Sequence, residues 1–148
     1  MDRDASGPVL TLRLPNQLAA IGEAADEIAT FCETHGVPPS AVGHLNLALD
    51  EAMTNTITYG WPEGGEHEIT LTLSVSGGAV VAEVSDDGRA FDPLQVPPPD
   101  LDSDLESRPI GGLGVHFMKT LMDDVTYRHE AGRNILTMRK RFGAEGSS

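Results

Sequence analysis

The 148-residue chain is the size of one ordinary domain, and its 39% hydrophobic content is enough for a single core. Ten Lys and Arg against 23 Asp and Glu give a net charge of −13, which argues against a phosphate-tracking nucleic-acid surface. No apolar run approaches the roughly 20 residues that span a bilayer, and a single cysteine, Cys32, excludes an intramolecular disulfide and a cysteine-only metal site.

Met1–Gly7 is polar and is expected to be a flexible terminus; its Met-Asp-Arg-Asp start has no signal-peptide pattern, so a cytoplasmic location is expected. Val9, Leu10, Leu12 and Leu14 predict a short strand that Pro15 stops. A helix follows to about His35, with Asn16 as its expected N-cap, Gly36 as its stop, and Leu18, Ile21, Ala25, Ile28 and Phe31 on its apolar face. After Pro38-Pro39, Ser40 is the expected N-cap of a second helix running to about Tyr59. There Leu45, Ala48, Leu49, Ala52 and Met53 recur at the spacing of a core-facing stripe.

Strict alternation of Ile69, Leu71, Leu73 and Val75 with Thr70, Thr72 and Ser74 predicts a half-buried strand, and Ser76-Gly77-Gly78 turns it into a second strand over Ala79–Ser85. Asp92–Pro109 carries five acids and Pro97-Pro98-Pro99 without helical or strand periodicity, and reads as a lid. A helix is expected from Gly114 to about Met122, then strands around Asp124–His129 and Asn134–Arg141 joined at Ala131-Gly132, and a flexible tail from Gly143 to Ser148. The order β-α-α-β-β-lid-α-β-β predicts an α+β fold: a two-layer α/β sandwich whose sheet is mostly antiparallel, with helices on one face. Residues 8–142 form the expected single domain.

Three constellations can carry chemistry. Glu51 and Asn55 are four residues apart, so they lie one above the other on a helical face flanking the apolar stripe, where polar groups line a cleft. Asp50 points to the opposite, solvated side, and His44 lies a heptad back as a packing or rim residue. Asp86-Asp87-Gly88 leaves a strand end, where a carboxylate can accept a hydrogen bond from an exocyclic amine such as adenine's, while guanine presents a carbonyl there; Gly88 lets the backbone approach a flat base. Gly111-Gly112-Leu113-Gly114 precedes a helix and offers bare N–H groups to an anion, but no Lys-Ser/Thr follows to make a P-loop. Between Arg13 and Arg89 there is no Lys or Arg against twelve acids, so a phosphorylated ligand bound there needs backbone amides or a metal ion. Arg108 and Lys119 are the nearest further cations.

In this order and spacing the three segments resemble the GHKL ATPase superfamily of gyrase, MutL and the histidine kinases. Glu51-x-x-x-Asn55 matches its N box, Asp86-x-Gly88 its first glycine box and Gly112-x-Gly114 its second. Within it the phrases LALDEAMTNTITYGW, DDGRAFDP and GGLGVHFMKTLMDDVTY are similar to the small bacterial anti-sigma factors with serine-protein kinase activity, of the RsbW and SpoIIAB type. The likeness spans about Val9 to Phe142, leaving no room for the dimerisation-phosphoacceptor helices of a complete sensor kinase.

The resemblance implies a Bergerat-type ATP-binding fold and ATP with Mg²⁺ as ligands. It implies Glu51 as general base on a serine hydroxyl, Asn55 on Mg²⁺, Asp86 on the adenine amine, and Gly88 and Ala90 beside the base. Gly112 and Gly114 would lie on the phosphates, with Leu113 and Val115 anchoring the lid. Ala90 departs from the pattern, which has a second glycine there. The implied partners are a STAS-domain anti-sigma factor antagonist as substrate, a sigma factor and a second copy of the chain, with no nucleic acid and no membrane. A nucleotide-gated binding module without turnover and a detached histidine-kinase ATPase domain are the alternatives.

Overall fold

Alternating inward and outward side chains set the sheet. The computed structural model describes residues 8–90 and 118–142. They form β1 (Val9–Pro15), α1 (Leu18–Thr34), α2 (Pro39–Tyr59), β2 (Glu68–Ser76), β3 (Ala79–Asp86), β4 (Asp124–Glu130) and β5 (Arg133–Arg141). The five strands lie in the order β1-β2-β3-β5-β4 and every pairing is antiparallel. The expected termini, the lid and the segment Gly111–Val115 fall outside the described residues. Of the helix expected to follow, a turn over 118–121 is described, with Met118 and Met122 buried.

The inward rows make the core. Ile69, Leu71, Leu73 and Val75 of β2, Val80, Ala82 and Val84 of β3, and Leu136 and Met138 of β5 are all buried. Ala24 and Ile28 of α1 and Leu45, Leu49 and Met53 of α2 close over them. Helix α1 lies beside α2 and over β1, and α2 crosses β3 and β5. Cys32 is buried in this layer, and burial, helped by the neighbouring Glu33, pushes its thiol up to about 11. It is a protonated packing group at neutral pH.

Both helices start elsewhere than expected. The cap of α1 is Gln17, with no side-chain hydrogen bond. Asn16 reaches further along the chain instead. Its Nδ2 donates to Gly65 O (3.1 Å) and its Oδ1 accepts from His67 N–H (3.0 Å), which ties the end of β1 to the approach to β2. Helix α2 begins one residue before Ser40, with Pro38 as cap and Pro39 in the first turn. A proline there needs no N–H partner and its fixed φ suits the helix, so no hydroxyl cap is required.

Two tight hairpins pin the register. Gly77 and Gly78 (φ 59° and 75°) join β2 to β3, and Ala131 and Gly132 (φ 55° and 77°) join β4 to β5. Both central residues of such a turn need positive φ, which matches strand twist but crowds a Cβ. Ala131 is the one non-glycine residue with positive φ among the described residues. Ala131→Gly is therefore expected to stabilise the domain by about 0.5–1 kcal/mol, the relief of left-handed strain less the added chain entropy. Urea unfolding measures it, and a lowered midpoint would contradict the turn assignment.

Candidate functional site

The inward row of β3 does not end on a hydrocarbon. After Val80, Ala82 and Val84 the next inward position is Asp86, only 3% exposed. Its register partner on β5 is Asn134, 7% exposed, which likewise heads the inward row of Leu136 and Met138. A carboxylate and an amide thus stand face to face at the end of the sheet, under the C-terminal half of α2.

The carboxylate is held by donors, as a buried charge must be. Asp86 Oδ1 accepts from Gly88 N–H at 2.8 Å and from Asn134 Nδ2 at 3.0 Å. Asn134 Nδ2 also reaches Gly88 O (3.2 Å) and Arg89 O (2.9 Å), and its Oδ1 accepts the Tyr127 hydroxyl from β4.

The end of α2 docks on the turn after β3. Gly60 N–H closes the helix on Thr56 O (2.7 Å), and Arg89 supplies donors to the helix end: its N–H to Gly60 O (2.8 Å) and its Nε to Tyr59 O (3.0 Å). A Cβ built on Gly88 would stand 2.8 Å from Gly60 O, 2.9 Å from Asp86 Oδ1 and 3.0 Å from Gly60 Cα. The close approach that calls for glycine here is to the backbone of α2. Next to it, Trp61 Nε1 donates to Asp87 Oδ1 (3.2 Å), and its indole stacks on His67 with centroids 4.7 Å apart.

These elements line a pocket that opens to solvent. Ala52, Asn55, Thr56 and Gly60 of the helix side face Val84, Asp86, Tyr127, Asn134 and Leu136 of the sheet, with Arg89 at the rim. The lining thus mixes aliphatic side chains with the buried polar groups of Asn55, Asp86 and Asn134. Asn55, 4% exposed, adds an amide on the helix side. Glu51 stands one turn earlier, half-buried and outside the pocket lining. Ala90 is exposed and is not among the residues that line the pocket. Asp50 is exposed and accepts from Thr54 Oγ1 (3.3 Å), while half-buried His44 keeps a buried Nδ1 without a hydrogen-bond partner. Gly112, Leu113, Gly114 and Val115 lie outside the described residues.

Sequence reasoning missed Asn134, Tyr127 and Gly60. The available signal was parity: Asn134 is polar at an inward position of a strand otherwise headed by Leu136 and Met138.

The sequence profile of the histidine kinase-like ATPase domain matches residues 14–140, which include both α2 and the Asp86 turn. The chain belongs to this family. Within it the likeness is to the RsbW type. The serine-protein kinase RsbW of Listeria monocytogenes is 28% identical over 131 residues, covering 86% of this chain and 83% of the relative. The serine/threonine-protein kinase BtrW of Bordetella bronchiseptica is 32% identical over 101 residues, covering 68% and 71%. Among solved structures, the RsbU and RsbW domains of Rv1364c from Mycobacterium tuberculosis share the fold with a TM-score of 0.66 at 18% identity, over 91% of this chain and 32% of that one. No described helix is long and apolar enough to cross a membrane.

Burial, with Asp50 beside it, raises the Glu51 carboxyl above its ordinary 4.5. From pH 4.5 up to the raised value the folded chain keeps a proton that the unfolded chain has lost, so stability falls as pH rises through that window. Below pH 4.5 both states are protonated and the effect is absent. Glu51→Gln, which carries no charge, is expected to melt higher than wild type at pH 7 and equally at pH 4, by calorimetry at both pH values. Gly88→Ala has no such compensation: forced against Gly60 backbone, it is expected to cost about 1–3 kcal/mol in a urea titration.

Proposed function

We propose that this chain is a cytoplasmic, ATP-dependent protein serine kinase and anti-sigma factor. It phosphorylates a serine on a STAS-domain antagonist, and it holds a sigma factor while that antagonist stays phosphorylated. The observation that carries the reading is the buried Asp86 carboxylate at the strand end, closed in by the helix that bears Glu51 and Asn55. The names of the RsbW and BtrW relatives support the kinase assignment.

Asp86 accepts the 6-amino hydrogen of adenine, and a guanine carbonyl at the same place repels it. Asn55 would hold Mg²⁺ through its amide oxygen, and the ion would supply charge neutralisation for the ATP phosphates. ATP would supply the γ-phosphoryl group: the bond from the serine oxygen to γ-phosphorus forms as the bond to the β–γ bridging oxygen breaks, and ADP leaves. Glu51, one turn from Asn55, accepts the serine proton as the hydroxyl attacks; partial burial makes it a stronger base than a solvated carboxylate. In this reading Gly112 and Gly114 would offer N–H groups to the phosphates, with Leu113 and Val115 as the lid anchors that the family resemblance implies. Adding roughly two negative charges to the antagonist weakens its grip on a protein of charge −13 and releases it. The working unit is a homodimer of the 8–142 domain.

Titration with nucleotides and transfer of labelled phosphate test this reading. ATP with Mg²⁺ is expected to bind at least about tenfold tighter than GTP, and either Asn55→Ala or EDTA should abolish the metal-dependent part. Glu51→Gln is expected to bind ATP as wild type does and to lose transfer to a STAS protein by about 10²–10⁴-fold, nearer the low end because loose phosphoryl transition states need little base help. The phosphate formed should resist acid, as phosphoserine does and phosphohistidine does not. Equal affinity for ATP and GTP would remove the adenine assignment. Wild-type binding of ATP and sigma factor without transfer would make the chain a binding module.

A further inference from the structure

The amide at the head of β5 makes more contacts than sheet packing requires. Asn134 lies directly opposite Asp86 in the register, and its single Nδ2 serves three acceptors around the turn after β3: Asp86 Oδ1, Gly88 O and Arg89 O. Its Oδ1 takes the Tyr127 hydroxyl. The three acceptors settle which way the amide points: a flipped Asn134 would turn its oxygen onto a carboxylate and two carbonyls, none of which can donate, and those three contacts would be lost at once.

The consequence falls on Asp86. With Gly88 N–H and Asn134 Nδ2 both on Oδ1, at 2.8 and 3.0 Å, the carboxylate is held by two donors on one oxygen, beside the pocket that Asp86, Asn134 and Tyr127 line together. Pinning matters because a hydrogen bond to a charged acceptor discriminates between ligands only when the acceptor cannot swing away from a poor partner.

We infer that Asn134 and Tyr127 are positioning residues that fix the presented oxygen of Asp86 and so determine selectivity for a 6-aminopurine. The inference rests on the nucleotide reading above and adds to it two residues outside its sequence motifs. Without the Asn134 donor, Asp86 keeps only the Gly88 N–H and turns about its terminal bond. Without the Tyr127 hydroxyl, the amide loses the contact that steadies its oxygen end.

Calorimetric titration with ATP and with purine riboside triphosphate, which lacks only the 6-amino group, separates positioning from bracing. Wild type is expected to prefer ATP. In Asn134→Ala that preference should shrink by about tenfold, the worth of one charge-assisted hydrogen bond, and in Tyr127→Phe severalfold, with both variants melting cooperatively. If either variant weakens both ligands in parallel, leaving the preference at its wild-type value, the inference is overturned for that residue, and the nucleotide reading survives. Should Asn134→Ala fail to fold, Tyr127→Phe, which removes one oxygen and keeps the ring, decides the matter alone. A wild type that binds neither nucleotide overturns the nucleotide reading and this inference with it.

Discussion

Two backbones meet where α2 ends and β3 ends, and the site depends on that contact. The last carbonyls of a helix lack intrahelical donors. Here the turn after β3 provides them, with Arg89 N–H on Gly60 O and Arg89 Nε on Tyr59 O. The cation also sits at the negative end of the helix dipole. Glycine at 88 lets the two backbones approach until a single added carbon would collide with Gly60. Because α2 carries Glu51 and Asn55 and β3 carries Asp86, this one contact sets how the helix-borne groups stand relative to the carboxylate.

The pocket is a continuation of the core in polar dress. Asp86 and Asn134 occupy the same inward rows as Val84 and Leu136. Hydrocarbon at those positions would pack without needing partners. A carboxylate and an amide there must satisfy each other, since a buried polar group left unpaired costs about 1–3 kcal/mol. A local rule of core composition is broken at the end of the rows and nowhere along their middles, the usual place for a fold to give up packing in return for recognition.

Period-two alternation made the central strands legible, because one face of the sheet is buried and a register slip would expose it. The stripe on α2 was legible for the same reason, and so were the two turns, where Gly77-Gly78 and Ala131-Gly132 advertise positive φ. Helix starts were less so. Asn16 has the chemistry of a cap, but whether its side chain turns to its own helix or to Gly65 and His67 is decided by a loop 49 to 51 residues away. Within the site, Glu51, Asn55 and Asp86 announce themselves as short local patterns. Asn134 does not: its partner lies 48 residues earlier, and only strand pairing brings them together.

That separation shapes how the domain is made. Strand β5 is the last element in the chain yet lies inside the sheet, between β3 and β4. Residues 8–90 can pair β1, β2 and β3 and lay both helices on them while the inner edge of β3 still waits for its neighbour. Closing a loop of nearly fifty residues is entropically slow, and it is this closure that sets Asn134 opposite Asp86. Completion of the sheet and creation of the pocket are therefore one event, because β5 supplies Asn134 and Leu136 to its lining. Any ligand that requires the finished pocket would stabilise only the fully folded molecule.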